Sequence, residues 1–82
     1  MRKAALTKVV FVNKTSLVIM NSFQRRLSVK TPDNMSTEIT LTRESFDDLK
    51  KNISKLNYSD ILKLTVVEEG LGIYSIEAAQ LI

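Results

Sequence analysis

Seven positive side chains, Arg2, Lys3, Lys8, Lys14, Arg25, Arg26 and Lys30, precede the first carboxylate of the chain, Asp33. Exposed lysine and arginine contact phosphates without needing a sequence motif. Arginine adds bidentate phosphate binding and stacking on bases. The remaining fifty residues hold five cations and nine acids, so the two parts carry +7 and −4 within a net charge of +3. A polarity of this kind points to a partner with acidic or phosphate groups. Phe11 and Phe23, if exposed, would add the stacking rings used by single-strand binders.

Other chemistries have less to work with. The chain contains no Cys and no His, so the common Ser-His and Cys-His nucleophile pairs cannot be assembled. Zinc has no ligand set. Asp47-Asp48 and Glu68-Glu69 are adjacent pairs, and neighbours on a helix or strand do not face one site, so they read as solvated charge. Gly70-Leu71-Gly72 lacks the glycine spacing of a P-loop or dinucleotide fingerprint and reads as a hairpin turn. The expectation is a protein that is not an enzyme and carries no cofactor and no metal.

Elements must place these cations. Leu6 to Val12 (LTKVVFV) is dense in β-branched and aromatic residues and reads as a strand covered on both sides. Asn13-Lys14-Thr15 is a turn signal, and Leu17 to Met20 reads as the return strand of a β-hairpin. Phe23 to Thr31 alternates: Phe23, Arg25, Leu27 and Val29 share one face, and Gln24, Arg26, Ser28 and Lys30 share a polar one. After the loop at Thr31-Pro32-Asp33-Asn34, Ile39 and Leu41 mark a fourth strand, which could set Lys30 near Glu38.

Thr42 is a helix N-cap, and Phe46, Leu49, Ile53 and Leu56 form one apolar face, giving a helix at about 43–56. Ile61 to Val67 reads as a strand in preference to a helix ended by Gly70, because Glu68 and Glu69 would oppose the dipole at that helix end. Glu68-Glu69-Gly70 would then turn the chain into a strand at Leu71–Ile76. Ser75 to Ile82 reads as a short terminal helix. A helix-turn-helix built on that tail would lack a recognition helix, since the sequence stops at Ile82.

The fold expected is α+β in a single domain, 1–82: an antiparallel, hairpin-rich sheet of four to six strands with one main amphipathic helix packed on one face. Its core would be Phe11, Leu17, Ile19, Leu27, Val29, Ile39, Leu41, Phe46, Leu49, Ile53, Leu64, Val66 and Ile73. A chain of 82 residues buries only about 60–65% of its unfolded surface, so a homodimer would add useful core. No apolar run approaches the ~18 residues of a membrane span, and no secretory leader is evident, which makes a cytoplasmic protein the default.

Two functions fit. The first is nucleic-acid binding, RNA or DNA, in a regulatory or accessory role through a basic N-terminal β-hairpin surface made of Arg2, Lys3, Lys8, Lys14, Gln24, Arg25, Arg26 and Lys30. The second is protein antagonism of the inhibitor, antitoxin or small phage-regulator type, through a charged face or an edge strand. In both, Gln24, Arg25, Arg26 and Lys30 sit at the centre, and reversing charge at Arg25 and Arg26 is expected to abolish binding while leaving the fold intact.

Overall fold

A computed structural model describes residues 6–15 and 18–82. The order of elements is β1 (Thr7–Val12), β2 (Val18–Asn21), β3 (Arg26–Lys30), β4 (Ser36–Leu41), α1 (Arg43–Ser54), β5 (Leu62–Gly70) and β6 (Ile73–Leu81). The strands follow one another in the order β1-β5-β6-β4-β3-β2, and β1 also pairs with β3. That extra pairing closes β1, β5, β6, β4 and β3 into a five-stranded barrel. Among the described residues, no helix is long and apolar enough to cross a membrane.

This architecture corrects the expected antiparallel sheet with a helix on one face. Two pairings make the difference. β4 and β6 run parallel, with Thr40 beside Ile73 and Leu41 beside Tyr74. β1 meets β3 where Phe11 lies opposite Lys30. Closing the sheet turns its apolar face into the barrel interior, so the core lies inside the barrel and not between a sheet and a helix. Instead α1 packs where β4 ends and β6 begins, and Phe46 and Leu49 enter the interior. The Thr42 N–H donates to the Tyr74 carbonyl at 2.9 Å, and the Ile76 N–H donates to Ser45 Oγ at 2.8 Å. Buried Ser45 therefore ties the helix to β6.

The hairpin expected over Leu6–Met20 does not form. β1 and β2 both run antiparallel to β3, Phe11 beside Lys30 and Ile19 beside Leu27. They are consecutive stretches of one bent path along β3. Asn13 supplies a bend where a reversal was expected: its Oδ1 accepts from the Thr15 N–H at 3.0 Å and from the Thr15 hydroxyl at 2.9 Å, an Asx turn.

Other boundaries move for local reasons. β3 begins at Arg26, because Ser22–Arg25 is a turn in which the Gln24 N–H donates to Asn21 Oδ1 at 3.0 Å. Glu68, Glu69 and Gly70 belong to β5, and the reversal falls on Leu71 and Gly72, with φ of 21° and 79°. Two positive-φ residues between the paired Gly70 and Ile73 suit the right-handed twist of a tight hairpin. The expected terminal helix at Ser75–Ile82 is strand β6, which pairs with β5 from Ile73 to Leu81. There the long ladder overrides the helix propensity of Ala78 and Ala79, and the helix-turn-helix reading of the tail falls with it. The helix keeps its expected start, Thr42 accepting from the Ser45 N–H at 3.4 Å, and ends at Ser54.

The core is Val10, Val12, Leu27, Val29, Ile39, Leu41, Phe46, Leu49, Leu62, Leu64 and Val66, with Ile53 and Leu56 packed against it. Phe11 was expected inside; the barrel instead takes Val10 and Val12 and turns Phe11 outward. Ile19 and Ile73 are also outside the core, 44% and 38% exposed, and Leu17 lies outside the described residues.

Candidate nucleic-acid interface

The outward face of β1 is set by alternation. With Val10 and Val12 buried, Phe11 must point out, and its two cross-strand neighbours are Lys30 on β3 and Lys63 on β5. Lys63 is outward for the same reason, being flanked by buried Leu62 and Leu64. A ring is thus bracketed by two lysines, each directly opposite it, where cross-strand side chains approach to about 5 Å.

Beside the ring lies a cleft of about 250 Å³ lined by Phe11, Val12, Asn13, Lys30, Thr31, Pro32, Asn34, Ile61 and Ile82. Lys30 is the only charged side chain among those residues. Phe11, Pro32, Ile61 and Ile82 give apolar walls, and the polar lining is Asn13, Thr31 and Asn34, of which Asn13 and Thr31 are engaged in the turns that hold them. The β3–β4 turn that forms one wall is well tied. The Thr31 N–H donates to the Met35 carbonyl at 2.8 Å, the Met35 N–H to Thr31 Oγ1 at 3.2 Å, and the Asn34 N–H to the Thr31 carbonyl at 2.9 Å. Asn34 takes φ 65°, a conformation asparagine tolerates.

A second ring stands nearby in sequence and space. Lys14, next to Asn13, holds its ammonium 5.4 Å from the centre of the Tyr58 ring. Tyr58 lies in the segment between α1 and β5, is 74% exposed, and precedes Ile61 of the cleft by three residues. The arrangement therefore offers two aromatic faces with Lys14, Lys30 and Lys63 around them. The cleft is smaller than the ~300–1,000 Å³ of most small-molecule sites.

The sequence-expected site residues are dispersed. Arg2 and Lys3 lie outside the described residues. Lys8 stands on the other side of β1 from Phe11, its ammonium 5.3 Å from the centre of the Tyr74 ring. Gln24 is in the β2–β3 turn. Arg25 is a structural residue: it sits at φ 58°, its Nε donates to the Leu41 carbonyl at 2.9 Å, and its own carbonyl accepts from the Leu41 N–H at 3.0 Å. Arg26 pairs with Glu38 at 3.7 Å on an exposed face. The expected neighbour of Glu38 was Lys30, but the register sets Lys30 opposite Ser36 and Ser28 opposite Glu38. Of the eight residues, Lys30 lines the cleft, and Lys14 follows Asn13 of its lining in sequence.

Lys63 and Tyr58 escaped the sequence reading. The alternation Leu62-Lys63-Leu64 marks Lys63 as outward, but only the β1–β5 register brings it to Phe11. The adjacent acids Glu68 and Glu69 serve the β5–β6 hairpin: Glu68 accepts from the Gly72 N–H at 3.3 Å, and Glu69 accepts from the Ser75 hydroxyl. Among the described residues, no group of three or more acids could hold a metal ion. Comparison with protein-family models, curated proteins and solved structures finds no match to this chain.

Proposed function

We propose that this protein binds single-stranded nucleic acid, RNA or DNA, as a non-enzymatic accessory or regulatory factor. The observation that carries the reading is Phe11 bracketed in register by Lys30 and Lys63 at the mouth of the cleft. A base stacks on Phe11 and enters the cleft, where the exposed Asn34 amide meets its polar edge. Lys30, Lys63 and Lys14 neutralise the flanking phosphates, and Tyr58 offers a second stacking face. Stacking of this type contributes about 1–3 kcal/mol per base and tolerates any sequence.

The architecture is compatible with this use. The barrel of β1, β3, β4, β5 and β6 has the strand number of the five-stranded oligonucleotide- and oligosaccharide-binding barrel. A plan shared by many functions does not fix one, so the weight rests on the side chains.

The salt dependence of binding is the direct test. Three lysines on a single strand give a slope of about −2 in log affinity against log salt, at ~0.7 per phosphate. Duplex of the same sequence binds more weakly, because its stacked bases cannot reach Phe11. Binding that ignores salt, or that prefers duplex, contradicts the reading.

One observation favours a protein partner instead. β2 lies at the end of the strand order, with Ile19 and Met20 44% and 47% exposed, the type of edge to which another chain adds a strand. A single stoichiometric protein that co-purifies and stays bound at moderate salt supports that second reading.

A further inference from the structure

A second basic groove lies at the other end of β3. It has a volume of about 400 Å³ and is lined by Ser22, Phe23, Arg25, Arg43, Phe46, Asp47 and Lys50. Three cations face one acid there. Arg25 commits only its Nε to the Leu41 carbonyl, which leaves the two terminal nitrogens of its guanidinium to the groove. Arg43 opens α1, and Lys50, seven residues on, shares its side of the helix. The Lys50 ammonium stands 4.9 Å from the centre of the Phe46 ring. At the rim, Phe23 is 91% exposed on the β2–β3 turn. An aromatic ring displayed to water beside three cations repeats the chemistry of the Phe11 cleft.

β3 joins the two places. From Arg25 to Lys30 is five residues, or about 17 Å of extended chain, and the outward side chains between are Arg26 and Ser28. A single strand at about 3.4 Å per stacked nucleotide covers that length in about five nucleotides.

We propose that the Phe23 groove is a second contact for the same strand held at Phe11: Phe23 stacks one base, while Arg43, Lys50 and Arg25 take its phosphate. This rests on the nucleic-acid reading and adds a site size, about six nucleotides for full engagement. Once the first base is held, the second contact is intramolecular and gains from the high effective concentration of a short tether. Affinity should therefore step upward with length instead of rising only with the number of binding registers.

The test is fluorescence anisotropy with labelled oligothymidylates and oligouridylates of about 3 to 10 nucleotides. The wild-type protein should gain at least about tenfold in affinity between lengths of about 4 and 8. The double variant Phe23→Ala, Arg43→Glu changes two exposed residues. It should bind the shortest oligomers as the wild type does and lose the step. A step of equal size in the variant, or a loss shared equally by all lengths, overturns the second contact. Phe11→Ala separates the two claims, since it should weaken every length. If Phe11→Ala has no effect at any length, the cleft reading fails. If no oligomer binds the wild-type protein, both fail.

Discussion

Reversing the charge at Lys30 and Lys63 together should lower the affinity proposed for a single-stranded oligonucleotide by about 100-fold at moderate salt and flatten the salt slope. The two lysines stand on either side of Phe11 in the ladder, so in the proposed complex both would meet phosphates flanking a base stacked on that ring. Each reversal removes one phosphate contact and places a carboxylate beside the backbone, where like charge repels. The fold should hold. Both side chains point away from the core and are partly exposed, and surface changes of this type usually stay within about 0.5 kcal/mol. Thermal unfolding of Lys30→Glu, Lys63→Glu should therefore shift by only a few degrees. A variant that keeps its melting temperature and its affinity removes the cleft from consideration.

The second large effect is on stability. Arg25→Ala should destabilise the domain by about 2 kcal/mol, because a hydrogen bond from a charged donor is lost and the Leu41 carbonyl is left without it. Leu41 is fully buried, and it exchanges backbone and side-chain bonds with Arg25 where β4 ends and α1 is about to start. A domain of this size has about 4–12 kcal/mol in total, so the loss is a large part of it, readable as a drop of about 8–16 °C in melting temperature. Arg26→Ala is the control. Its pairing with Glu38 spans 3.7 Å between half-exposed side chains, and such pairs contribute ~0–1 kcal/mol. Equal melting temperatures for Arg25→Ala and the wild type would contradict the role given to Arg25. The outcome also revises the sequence expectation that both arginines can be reversed without harm to the fold.

That revision shows which information is local. Thr42, Phe46 and Leu49 announce their helix because cap and apolar spacing lie within a few turns of chain. Leu27 and Val29 alternate with Arg26, Ser28 and Lys30, so the two faces of β3 are legible. Phe11 is harder. A strand with valines on both sides of it gives no clue to which set the core takes, and the choice falls to Val10 and Val12 only when β5 pairs with β1.

The Asn13 turn is genuine, yet the same residues serve a bend or a hairpin. The outcome depends on β3, which both flanking segments need as a partner. β6 fails for a related reason: Ala78 and Ala79 prefer a helix locally, and eight paired positions in the ladder with β5 override them. The site inherits these limits. Lys30 and Lys14 are visible as basic residues in the N-terminal part, whereas Lys63 and Tyr58 belong to the acidic part and join them only through barrel closure.

In the proposed complex the nucleic-acid strand lies at the Phe11 cleft. Titrating an oligonucleotide of about eight nucleotides into isotope-labelled protein, and following backbone amide resonances, tests it most directly. The largest shifts should fall on Phe11, Asn13, Lys30, Thr31, Asn34, Ile61 and Lys63. Shifts confined to Ile19 and Met20 on the β2 edge, or no shifts up to millimolar ligand, would contradict it.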